Sequence, residues 1–128
     1  MGLFSKPVDL SELVIELNTN IQFLAQQGKP QIQATILQAI MSDAKILSAL
    51  GTEFAYQLDL TAKSIQTYEQ ARLAYNGHSS EQMQQAQVGF DEYFNWQKAQ
   101  THDELVKLLG VAKRFDRTRA LKKEFFSG

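Results

Sequence analysis

The sequence predicts an all-α protein, an antiparallel bundle of about five helices in which four long core helices precede a basic C-terminal helix. Three observations predict it. Apolar residues recur at spacings of three and four along most of the chain. Glycines and short polar stretches cut that pattern into helix-length blocks. No segment alternates with the two-residue period of a strand.

The first helix is expected from Asp9 to Gly28. Asp9-Leu10-Ser11-Glu12 has the form of a capping box, and Gly28 followed by Pro30 has the form of a stop. Leu10, Val14, Leu17, Ile21 and Leu24 make one stripe. Ile15, Thr19 and Phe23 make a second row on the opposite side. A helix apolar on two faces is sandwiched inside a bundle or shared with another chain. Ile15 and Phe23 are therefore the candidate self-association residues.

The second helix is expected from Pro30, a favoured first-turn residue, to Gly51. Ile36, Ile40, Leu47 and Leu50 form its stripe, with Asp43 in the middle. A carboxylate there needs the rim of the bundle or a partner such as Arg72; a ligand or register contact is the functional alternative. The third helix, capped by Thr52, runs to about Tyr75. Phe54, Leu58, Thr61, Ile65, Tyr68, Arg72 and Tyr75 hold its stripe, and Glu69 and Arg72 can pair one turn apart.

Ser79 or Ser80 caps the fourth helix, with Met83, Ala86, Phe90, Tyr93 and Phe94 inward. Trp96 lies about 100° off that face, on the side of Gly89. It fills a gap between helices or anchors an interface, where Trp is enriched. Thr101-His102-Asp103-Glu104 reads as a second capping box and opens the fifth helix. There Leu105, Leu108, Leu109, Ala112 and Phe115 face inward, and Lys107, Lys113, Arg114 and Arg117 face outward. Leu73, Tyr75, Gly77, Ala86 and Phe90 faintly resemble a tetratricopeptide helix hairpin. The Tyr75-to-Ala86 spacing is too long and no second copy follows, so nothing is carried over.

The 128 residues fit one domain, with residues 1–8 as a flexible N-terminus. Apolar content of 44% and charged content of 21% are ordinary for a globular chain. Fifteen glutamines enrich its surface in weakly self-repelling side chains. Charge is uneven. From Leu105 onward there are seven Lys/Arg and two acids, net +5, whereas the first 104 residues carry six bases and twelve acids, net −6. Such a skew points to anionic partners or to charge-guided assembly.

Cysteine is absent, which removes disulfides, thiolate nucleophiles and Cys-ligated zinc. No apolar run reaches the roughly 20 residues of a membrane span, and no signal-peptide core follows Met1, so a cytoplasmic protein is expected. Of the two histidines, neither His78 nor His102 has a Glu or His at a helical ligand spacing. Phosphate-loop and nucleophile-elbow motifs are missing. No enzyme, metal or cofactor is expected.

The sequence therefore reads as a non-catalytic protein–protein interaction module of the adaptor, inhibitor or immunity type. It is expected to self-associate through Ile15 and Phe23 and to present Lys107, Lys113, Arg114, Arg117 and Trp96 to another protein, an acidic one. The alternative is nucleic-acid or nucleotide binding by the basic helix. A solvated basic face that only complements the acidic bundle is the structural alternative.

Overall fold

The computed structural model describes the backbone of residues 9–77 and 80–127, and side chains over 9–74 and 89–117. The expectations for residues 1–8, Tyr75, His78, Ser79, Met83 and Ala86 fall outside those described residues. Among the described residues five helices form: α1 Ser11–Ala25, α2 Thr35–Met41, α3 Ala44–Leu50, α4 Thr52–Gly77 and α5 Ser80–Ser127. Among the described residues there is no strand. The all-α bundle is thus what the chain builds, with its helix boundaries changed in two regions.

The first change is at Asp43. The expected second helix divides there, because Asp43 is exposed and caps α3. Its Oδ1 accepts the amides of Lys45 at 3.0 Å and Ile46 at 3.2 Å. A carboxylate that bonds its own downstream amides ends one helix and starts the next. It neither sits in a buried stripe nor pairs with Arg72, which instead holds Glu69 at 2.8 Å. Pro30 does not open the helix either; residues 29–34 run without regular structure before Thr35.

The second change is at Thr101. The expected fourth and fifth helices are one continuous helix, about 72 Å long at 1.5 Å per residue. Thr101 is fully buried and bonds back to Gln97 O at 2.8 Å, the mid-helix habit of threonine. Its sequence context imitates a cap. At α1 the box is also partial: Asp9 Oδ1 accepts Ser11 N at 2.9 Å and Ser11 Oγ at 2.6 Å, and Glu12 stays exposed.

α4 and α5 pack antiparallel as one layer; α1 lies on α5, and α2 with α3 lies on α4. Between the layers Leu13, Leu17, Leu37, Phe54, Leu58, Tyr68, Leu105 and Leu108 are buried. Ring pairs mark two levels of the hairpin: Phe54 meets Phe115 edge-on at 5.7 Å, and Tyr68 meets Phe94 at 5.3 Å. The inward face expected for the basic helix holds, with Leu105, Leu108 and Ala112 buried and Leu109 and Phe115 packed beside them.

The connection from α1 to α2 is tied down by side chains. Gly28 has φ +95°, the left-handed conformation that suits a glycine after a helix, and Gly51 repeats it at +94° before α4. Lys98 Nζ, from α5, donates to Gly28 O at 2.8 Å and to Gln26 O, placing a cation on the C-terminal end of α1. Tyr68 donates its hydroxyl to Pro30 O at 2.5 Å, and Glu69 accepts Ile32 N at 3.1 Å. Asn20 exchanges two hydrogen bonds with the Gln33 backbone, at 2.5 and 3.2 Å.

Candidate interaction surfaces

The second apolar row of α1 is outside the core. Ile15 is 65% exposed and Phe23 38%. The row faces neither α5 nor α4, because α1 buries Leu10, Leu13, Leu17, Asn20 and Leu24 instead. That stripe is rotated from the expected one: Val14 and Ile21 are only half-buried, and Leu13 and Asn20 take their place.

Ile15, Thr19 and Phe23 form one wall of an open groove of about 420 Å³, and Gln33 and Ile36 form the other. Ile36 was expected in a core stripe; the break at Asp43 leaves it half-buried on this wall. Polar groups along the groove have internal partners. Thr19 Oγ1 donates to Ile15 O at 2.8 Å. The Glu16 carboxylate accepts Ile36 N at 2.9 Å and Leu37 N at 3.1 Å. This bridge has a cause: α2 begins after Ala34, which has no side-chain acceptor, so α1 supplies the missing cap. Glu12 stands exposed at the same end. The groove is an apolar strip with an acidic rim, and between Asp9 and Gly28 the chain has no Lys or Arg to offset it.

Trp96 is on the surface, 60% exposed, with Tyr93 beside it at a ring separation of 6.5 Å. Gly89 has open space where a side chain would stand, so no backbone or ring approaches it among the described residues. Trp96 does not fill a gap between helices.

The four basic residues spread over about a third of the α5 circumference at 100° per residue, and all four are exposed. Two meet carboxylates within the chain. Arg114 reaches Glu53 at 3.1 Å, across the α4–α5 contact, and Lys107 reaches the buried Glu104 at 3.4 Å. An exposed pair such as the first is worth roughly 0–1 kcal/mol, whereas the second sets an exposed ammonium on a buried carboxylate. Both pairs lower the local positive charge, and Lys113 and Arg117 carry what remains on the described face.

A wider, more polar cleft of about 540 Å³ lies between the α1 C-terminus and α5, lined by Gln26, Gln27, Asn95, Lys98, His102 and Asp103 among others. Its cation is already engaged. Burial and the nearby Lys29 push the Lys98 ammonium below its usual range. His102 Nδ1 lies 3.8 Å from Asp103 Oδ1. Among the described residues no group of three or more His, Asp or Glu is placed to hold a metal ion, and no helix is long and apolar enough to cross a membrane.

Sequence reasoning missed Glu16, Asn20 and Gln33, which shape the groove. A signal was present: Glu16 and Asn20 stand four apart on α1, between its two apolar rows, where a helix meets a neighbour's backbone. Compared with protein-family models, with curated proteins and with solved structures, the chain finds no match in any of the three.

Proposed function

We propose that this chain is a non-catalytic protein-interaction module of the cytoplasm that binds a protein surface, including its own, along the outer face of α1. The observation that carries the reading is the groove of Ile15, Phe23 and Ile36. Large apolar side chains left in water beside one another mark a binding surface, whereas single ones do not. The groove's internally bonded polar groups leave it an apolar character, which suits a side-chain row of another helix better than a small polar substrate. Trp96 with Tyr93 supplies a second anchor, of the residue types that dominate interface energetics. The basic face of α5 serves an acidic partner and speeds its encounter.

A photo-reactive amino acid placed at Thr19, inside the groove, tests this in the native cell. A covalent adduct to a protein of discrete mass, whether this chain or another, is the expected result. Absence of any protein adduct, with the chain expressed and folded, overturns the reading.

A further inference from the structure

We infer that the occupant of the α1 groove is the basic C-terminal end of α5 from a second copy of this chain. The inference rests on the interaction-module reading and gives it a partner. Two observations support it. The first is charge. The groove is rimmed by Glu12 and Glu16 on a segment without a single Lys or Arg, and the chain's positive charge is concentrated after Leu105. Opposite charge on two separate parts of one molecule favours head-to-tail contact between copies and opposes groove-to-groove contact, where acid would meet acid.

The second observation is length. Among the described residues, the cross-helix contacts nearest that end of the hairpin are Phe54 with Phe115 and Glu53 with Arg114, at the first turn of α4. α5 continues to Ser127, about 18 Å further along its axis by the helical rise. α4 has no residues left to accompany it. That stretch of sequence holds Arg117, Arg119, Lys122 and Lys123 together with Leu121 and Phe125 four residues apart, the mixture of cations and apolar side chains that an acidic-rimmed apolar groove selects. Contact of two different patches is heterologous, so each copy offers one groove and one end, and assembly proceeds to a ring or a filament.

Sedimentation of the full chain at low salt, over a range of concentrations, tests this. The wild-type mass should climb above the 14.5 kDa monomer and fall back as salt is raised. A groove variant, Phe23→Asp, and a tail variant, Lys113→Glu with Arg117→Glu, should each remain monomeric. Mixed in equal amounts they should form a pair of twice the monomer mass, through the intact end of the first and the intact groove of the second. Ile15→Asp, at a more exposed position, repeats the groove arm should Phe23→Asp lose its helical circular dichroism. A tail variant that still self-associates, or a mixture that stays monomeric, overturns the inference. So does a wild-type chain that is monomeric at every concentration; a Thr19 adduct to a different protein would then leave the interaction-module reading standing.

Discussion

Thr61 and Thr101 do the same work from opposite helices. The Thr61 hydroxyl lies 3.2 Å from Glu104 O on α5, and the Thr101 hydroxyl lies 3.1 Å from Ser64 O on α4. Each also reaches its own helix, at Gln57 O and Gln97 O, both 2.8 Å. Each accepts from a glutamine one turn earlier, at 3.3 Å. Thr101 stands 40 positions after Thr61, and the offset also relates Phe54 to Phe94, Gln57 to Gln97 and Ile65 to Leu105. The hairpin therefore has a local two-fold relation, with a buried polar seam at its centre. A slip of one turn would keep the bonds within each helix but break those between them, including Gln57 Nε2 to Glu104 Oε2 at 2.7 Å, so the seam favours this register of α4 on α5.

Thr61→Val and Thr101→Val keep the shape and remove the hydroxyl. Each should lower stability by roughly 0.5–1.5 kcal/mol, the net worth of a buried hydrogen bond. The local symmetry makes the two losses alike. Urea unfolding of both variants checks this; a loss at one position and none at the other would show that the seam is not a symmetric unit.

Asp43→Ala should cost about 1 kcal/mol, the usual worth of an N-cap, and Asp43→Asn should retain most of that. A double-mutant cycle of Asp43→Ala with Arg72→Ala should give no coupling, because Arg72 bonds Glu69 and not Asp43. Coupling well above experimental error would restore the buried-pair arrangement expected from the stripe.

Tyr68 predicts a pH signature. Burial, reinforced by the charge of Glu69 and partly offset by Arg72, pushes its phenol up to about 12, against an ordinary value near 10. A raised folded pKa means that the neutral phenol, which donates to Pro30 O, is favoured by folding. Its stabilisation is complete below about pH 10 and is lost as pH rises toward 12. Tyr68→Phe should be less stable than the wild type by about 1 kcal/mol at neutral pH. The gap should close through that alkaline window and stay constant below it, as read by denaturant midpoints at each pH.

These residues also mark how far the sequence could be read. The stripe of Phe54, Leu58, Thr61, Ile65 and Tyr68 was visible because a long helix packed on one side obeys one period. Gly28 and Gly51 were visible because positive φ leaves few alternatives to glycine. Thr101 was not: Thr-x-x-Glu opens a helix when its amides lack partners, and the same residues sit inside a helix when Thr bonds back by four. Only a neighbour decides between the two, and here it is Ser64 O. Asp43 failed for the opposite reason, since a periodic stripe continues across a break when two short helices pack on the same neighbour. For the groove, Ile15 and Phe23 were legible as a spare apolar row. Its second wall was not, because Gln33 and Ile36 reach it through bonds to Asn20 and Glu16 that no local pattern announces.

Trp96 separates the two surfaces of the proposed module. It is the single tryptophan of the chain, so indole emission reports that position alone. At 60% exposure the free protein should show the red-shifted emission of an indole in water. Trp96→Ala should change folding stability by no more than about 0.5 kcal/mol, as for a surface position. Self-association through the α1 groove and the basic end of α5 leaves the ring uncovered, so the emission should not move as copies assemble. Binding of a different protein at Trp96 and Tyr93 should shift it to the blue, and Trp96→Ala should then weaken binding by more than tenfold, the loss of a central aromatic anchor. A blue shift that tracks self-association instead would move the contact between copies from α1 to the aromatic side of α5. It would make Phe23→Asp without effect on assembly.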